Sequence, residues 1–277
     1  MSRTLTPSRH PWIATLLLLV SWIVLLQACG GGGKKAPPVV DAVPTGYYGT
    51  NGTSNSTATV FTDTATPVNI TDLQGMIYNG RLIMMSRATQ NLSYDGNITV
   101  SGSSYTGSVT VYQNRVRVST ASVSGTINQG VSVTGTLTGT GAGSGTFTLI
   151  YGDATAVDNT MVTRSLDWTP VDANDNFPSI DINNPAGISA GGVANLGVFA
   201  RCGISGSINA IPQTHLYVVN IVMAAQAGDP FPCNSAVLLP ATYSGFASLR
   251  QTTQPNDTLV LTITNGEYSM SWEFDRQ

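Results

Sequence analysis

From residue 45 onward the chain alternates apolar and polar residues in short runs separated by turn-forming residues. Ser108-Val109-Thr110-Val111-Tyr112 and Arg115-Val116-Arg117-Val118 carry the two-residue period of a strand with one buried face. The pattern predicts nine strands in a first stretch: Gly46–Thr50, Thr57–Thr62, Gly75–Tyr78, Leu82–Ser86, Leu92–Val100 (broken by Asp95-Gly96), Tyr105–Tyr112, Val116–Ile127, Val131–Thr138 and Gly145–Tyr151. Eight more are predicted at Ser165–Thr169, Ser179–Ile182, Asn195–Ala200, Gly203–Ile211, Leu216–Met223, Tyr243–Leu249, Thr258–Thr264 and Tyr268–Phe274. Asn79-Gly80 and Asn265-Gly266 mark hairpins, because both residues tolerate the positive φ that tight turns need. No window carries a 3.6-residue period with helix caps.

Thr106-Gly107-Ser108-Val109-Thr110-Val111 lines up with Ser205-Gly206-Ser207-Ile208-Asn209-Ala210, which suggests a duplicated unit. So many antiparallel strands must close or stack to hide their edges. The expected fold is all-β, with two tandem antiparallel β-barrel or β-sandwich lobes of about eight strands each, residues 45–152 and 153–277. A single continuous barrel built from both halves fits the same pattern.

The segment before residue 45 reads differently. Arg3, Arg9 and His10 precede an apolar run from Trp12 to Leu26 that is interrupted only by Thr15 and Ser21. A basic start, an apolar stretch and a small residue describe a secretory signal over residues 1–28. The run is shorter than the roughly 20 residues of a membrane-spanning helix. At its end, Leu26-Gln27-Ala28-Cys29 resembles the lipobox of bacterial lipoproteins. That resemblance implies diacylglycerol on the Cys29 thiol, cleavage before Cys29 and acylation of the new amino group with palmitate-type chains. It also implies a protein held in the cell envelope by its lipid. Gly rather than Asp at position 30 points, by the same resemblance, to the outer membrane. Residues 29–44 then form a Gly- and Pro-rich tether, and its 14 residues from Gly30 to Val43 span on the order of 20 Å as a coil.

Composition supports this division. Charged residues make up 10% of the chain and hydrophobic ones 42%, with 29 glycines. Charge is thus well under the quarter or so typical of soluble domains, while β-branched and aromatic residues are plentiful. The net charge of −3 becomes −5 once Arg3 and Arg9 leave with the signal. Lys34-Lys35 is the only paired cationic stretch, so nucleic acid is not an expected partner. With Cys29 consumed by lipid, Cys202 and Cys233 are expected to form a disulfide, as befits an oxidising compartment. Zinc would lack ligands, because neither cysteine sits in a C-x-x-C and His215 is the only histidine after the signal.

A second resemblance rests on Ser144-Gly145-Thr146-Phe147-Thr148-Leu149-Ile150-Tyr151, Arg164-Ser165-Leu166, Cys202-Gly203-Ile204-Ser205-Gly206-Ser207-Ile208 and Asn256-Asp257-Thr258-Leu259. Together these resemble uncharacterised two-lobed β-rich lipoproteins of Gram-negative bacteria over nearly all of residues 45–277. The likeness implies an architecture and no activity.

Candidate chemistry is sparse. Asp172-Ala173-Asn174-Asp175-Asn176-Phe177-Pro178 resembles the D-x-N-D-N-x-P calcium linker of cadherins, which would make Asp172, Asn174, Asp175 and Asn176 calcium ligands. The acidic elements that complete a cadherin site are missing, and Asp153, Asp158, Asp167 or Asp181 would have to replace them. The same segment also reads as a polar turn closed by Pro178. Gly139-Thr140-Gly141-Ala142-Gly143-Ser144-Gly145 precedes a strand rather than a helix, so it reads as a hairpin connection and not a phosphate loop. His215 stands at a strand start. Glu267 and Glu273 are about 20 Å apart along one extended strand, too far for a glycosidase pair. Tyr47, Tyr48, Tyr78, Tyr94, Tyr105, Tyr112 and Tyr151 crowd the first lobe, either as core or as a binding surface.

The expected function is therefore a membrane-anchored envelope lipoprotein acting as a non-enzymatic binding or structural module, without a cofactor. Its expected partners are the membrane through Cys29 and an envelope protein or a small apolar ligand. A hydrolase of envelope polymers and a calcium-stabilised structural module are the alternatives.

Overall fold

A computed structural model describes residues 40–50, 53–61, 66–86, 88, 91–152, 167–170, 180–183, 187–195, 201–225, 241–250 and 258–276. The chain is all-β: among these residues the only helical element is one 3-10 turn, Gly141–Gly143. Residues 40–277 form one compact unit.

The first sheet contains β1 (Gly46–Tyr48), β2 (Thr57–Phe61), β3 (Pro67–Ile70), β4 (Gln74–Tyr78), β5 (Arg81–Ser86), β6 (Leu92–Ser101), β7 (Ser104–Gln113), β8 (Val116–Asn128), β9 (Ser132–Thr138) and β10 (Gly145–Ile150). Their spatial order is β1-β4-β5-β6-β7-β8-β9-β10-β2-β3, and every pairing is antiparallel. The sheet curls until its first strand meets its last long one. The first half of β10 pairs with β2, and beyond its second half Tyr151 bridges Tyr48 of β1. Gly49 N donates to Ile150 O (2.9 Å) and Gly152 N to Tyr47 O (3.0 Å). β1 and β2 thus act as one split strand along β10, and closure removes the exposed edge that β1 would otherwise present.

The second sheet is a closed barrel of β11 (Asp167–Pro170), β12 (Ile180–Asn183), β13 (Gly187–Asn195), β14 (Arg201–Ala210), β15 (Leu216–Ala225), β16 (Ala241–Arg250), β17 (Thr258–Thr264) and β18 (Ser269–Arg276). Its described core holds Tyr217, Tyr243, Trp272 and Phe274 among Leu, Ile and Val side chains. Tight coiling needs small inward positions. A Cβ on Gly245 would collide with the carbonyl oxygen of Thr262 across the β16–β17 pair, and one on Gly107 with that of Asn97 across β6–β7.

Strands that lie between the two sheets are largely buried on both faces. In β5, Leu82 and Met84 join the first core, whereas Ile83 faces the second sheet. All seven residues of β17 are buried, although Thr258, Val260, Thr262 and Thr264 alternate with its inward residues. The seam contains Tyr47, Met76 and Ile83 from one sheet and Ile211, Leu216 and Phe246 from the other. Burial of this order contributes roughly 1.5–3 kcal/mol per large side chain. Polar seam contacts run from Gln74 Nε2 to Glu273 Oε1 (2.7 Å), from Ser93 Oγ to Ser269 Oγ (2.7 Å) and from Thr262 Oγ1 to the Met85 sulfur (2.8 Å). Val116 also bridges Tyr268, so backbone hydrogen bonds cross between the sheets.

Three expectations differ from the structure. β6 runs unbroken through Asp95-Gly96, because Gly96 lets the backbone of Ser108 and Val109 approach closely. β3 was absent from the predicted strands. It opens with Pro67 in a strand at the end of the sheet, where a missing donor is tolerated. β13, a Gly-rich stretch at Gly187–Asn195 with a register shift between Ser189 and Val193, was likewise absent from the predicted strands; of the strand expected at Asn195–Ala200, residues 196–200 lie outside the described residues.

Three of the tyrosines of the first lobe are structural. Tyr48, Tyr94 and Tyr105 are buried and donate to the carbonyls of Pro44 (2.8 Å), Ala142 (2.7 Å) and Thr134 (3.1 Å). Ala142 belongs to the 3-10 turn, so the Gly139–Gly145 connection joins β9 to β10 and also plugs the first core. Burial pushes the Tyr94 and Tyr105 hydroxyls far above their ordinary value of 10.0, and Tyr112 is raised by burial and then by the Asp95 carboxylate. The unfolded chain would release these protons near pH 10 while the folded one retains them. Their contribution is therefore complete below that pH and is lost as pH rises above it. Alkaline titration followed at 295 nm is expected to show these phenols ionising together with loss of the near-UV circular dichroism, rather than before it.

Candidate functional site

Arg81 and Asp95 form an ion pair within the seam, and local structure sets their positions. Asn79 (φ 48°) and Gly80 (φ 75°) make the two-residue turn predicted from the sequence, which starts β5 at Arg81. Arg81 lies opposite Asn97 and Asp95 opposite Ile83, so the pair is diagonal across β5–β6 on the face turned to the second sheet. The guanidinium forms a fork: Nε donates to Oδ1 and Nη2 to Oδ2 of Asp95, both at 2.8 Å. Such bidentate, charge-assisted pairs are the strong class of ionic hydrogen bond.

The second sheet completes the cluster. Thr264 Oγ1 donates to Asp95 Oδ2 (2.6 Å), and Arg81 reaches Ser244 Oγ (3.3 Å) and Ser244 O (3.2 Å). The guanidinium carbon also lies 5.5 Å from the centroid of the Phe246 ring, which meets Tyr78 edge-on at 6.2 Å. The side chains of Arg81 and Asp95 remain 25% and 13% exposed, so the pair is largely withdrawn from water.

Above this pair lies an open groove of about 700 Å³ between the two sheets. Ser108, Thr110, Thr242, Ser244 and Thr264 supply hydroxyls, and Asn97 and Asn265 supply amides. Among the described residues, Arg81 and Asp95 are the only charged ones of the lining, and they neutralise each other. No protein-family model, no curated protein and no solved structure matches the chain. The groove therefore has to be interpreted from its own chemistry. It presents many uncharged donors and acceptors around one carboxylate that already accepts three hydrogen bonds.

The residues singled out from the sequence fall elsewhere. Cys29, Cys233, Asp172, Asn174, Asp175 and Asn176 lie outside the described residues, as does the side chain of Cys202, whose backbone belongs to β14. Asp167 and Asp181 are backbone partners across β11–β12. Among the described residues, no three His, Cys, Asp or Glu side chains gather as a metal site. His215 is buried at the foot of β15. Glu273 is half-buried against Gln74, and Glu267 is in the exposed loop that joins β17 to β18.

Arg81 and Asp95 went unnoticed in the sequence, although a signal was present. In a chain with 12 basic and 15 acidic residues, an Arg and an Asp on neighbouring predicted strands are a scarce combination.

Proposed function

We propose that the chain is an envelope lipoprotein, anchored through Cys29, whose β body is a non-enzymatic binding module with the groove between the sheets as its site. The observation that carries this reading is the groove's uncharged, hydroxyl- and amide-rich lining around a self-neutralised ion pair. Such a lining offers hydrogen bonds without a charge to be matched, which suits a neutral polar ligand or a polar loop of an envelope protein. Among the described residues Asp95 is the single carboxylate of the lining, and it is occupied by Arg81 and Thr264, which favours binding over hydrolysis by a carboxylate pair.

Thr242 is exposed on the groove wall, so Thr242→Trp fills the groove without disturbing a core. A panel of neutral saccharides and envelope glycan fragments is expected to contain a ligand that raises the Tm of the parent protein and not that of Thr242→Trp. A panel with no such ligand, together with an empty affinity capture from envelope extracts, would count against a binding role. Equal shifts in both proteins would place binding away from the groove.

A further inference from the structure

Opposite in character to the groove is the rim where the chain reaches the β body. The segment from Val40 to Thr45 lies across hairpin ends of the first sheet. Ala42 N donates to Gly102 O (2.8 Å), Gly102 N to the Asp41 carboxylate (2.7 Å), and Val43 N to Gln129 Oε1 (3.2 Å). Pro212, Gln213 and Thr214 of the β14–β15 connection adjoin Val43 and Gln129 around a crevice of about 340 Å³.

Two properties set this rim apart. Its connections, residues 101–104, 128–132 and 211–214, carry no charged side chain, and the carboxylate of Asp41 is engaged by Gly102 N. It also exposes apolar side chains: Val40 is 86%, Val43 59% and Val131 54% exposed. Hairpin tips normally carry polar residues, yet Val131 follows Gly130 (φ 70°) at the tip between β8 and β9. These are three of the seven large hydrophobic side chains exposed among the described residues, and they lie together where the chain arrives. Scattered single valines need no explanation, whereas an uncharged cluster of them suggests a contact.

The length of chain between Cys29 and Val40 selects the partner. Ten residues separate Cys29 from Val40, and a flexible chain of that length would span on the order of 20 Å, so a body tethered by lipid on Cys29 keeps this rim within reach of the bilayer. We propose that the rim is a lipid-contacting surface, with Val40, Val43 and Val131 resting at headgroup depth. The proposal rests on the lipid-anchor reading of Cys29. With no cationic side chain in these described connections, the rim takes a neutral headgroup surface as well as an anionic one. Three valines give a weak contact that orients a body already held by its acyl chains.

Amide hydrogen exchange of the mature lipidated protein on phosphatidylcholine vesicles, compared with the unlipidated Cys29→Ser chain, tests this. Residues 101–104 and 128–131 are expected to exchange about tenfold more slowly on vesicles, while the 265–268 loop is unchanged. Val43→Asp combined with Val131→Asp is expected to leave vesicle flotation intact and abolish that protection. Equal protection on neutral and anionic vesicles is expected; protection on anionic vesicles alone overturns the proposal. So does a protein that floats with vesicles while its rim exchanges at the unlipidated rate, a result that leaves the anchor standing. A mature chain that carries no lipid and does not float removes the anchor and this surface together.

Discussion

Asp95→Ala is expected to lower stability by about 3 kcal/mol, because it leaves a largely buried guanidinium without its counter-charge. The substitution removes both acceptors of the Arg81 fork and also the acceptor of Thr264 Oγ1. The orphaned Arg81 would retain only Ser244 and the Phe246 ring. Replacing both members should behave differently. Arg81→Met with Asp95→Leu removes the need to solvate either charge, and it is expected to recover most of the loss. Denaturant midpoints of the two single variants, the double variant and the parent give the coupling directly. A double variant as unstable as the sum of the singles would show that the pair does not act as a unit. The same series separates stability from binding, since the apolar pair keeps the seam closed while changing the floor of the groove.

Gly245→Val is expected to be more damaging, at about 4 kcal/mol or more. The new Cβ would meet the Thr262 carbonyl oxygen and come within 2.8 Å of the Ile263 Cα, both on the neighbouring strand, so no side-chain rotation relieves the clash. Relief requires β16 and β17 to separate, and both strands also form the seam. A variant that folds with a parental urea midpoint would mean that the barrel is less tightly coiled than the backbone indicates. Gly130→Ala is the matched control. Nothing lies within 4 Å of its would-be Cβ, so only the positive φ is strained, and it is expected to cost about 1 kcal/mol.

The fold was legible wherever one face of a strand met a core and the other met water. Ser108 to Val111 alternates as expected, and Asn79-Gly80 turns as expected, whereas a register shift buries Tyr112 beside Val111, and Val116 and Val118 are exposed. The alternation was silent where the second face also found a partner. Thr258-Leu259-Val260-Leu261-Thr262-Ile263-Thr264 is the strand expected, and its threonines are buried, with Thr264 holding Asp95. Nothing in the alternation itself specifies what lies beyond the polar face. The groove was illegible for the same reason, since its two walls come from β5–β7 and β16–β17, more than a hundred residues apart. The tyrosines were the intermediate case, because their burial follows from strand parity while their carbonyl partners do not.

The split closure of the first sheet bears on the order in which the chain acquires structure. Tyr47 and Tyr48 are among the first residues of the β body to be synthesised, but their partners at Ile150, Tyr151 and Gly152 follow about a hundred residues later. At ribosomal rates of roughly 5–20 residues per second, β1 waits on the order of ten seconds before its second edge can be satisfied. Contacts of such long sequence separation slow folding, because loop entropy must be lost before pairing returns any energy. The interval exposes an apolar Gly-Tyr-Tyr strand, and a chaperone that shields the N-terminal end of the nascent body would shorten the life of that hazard.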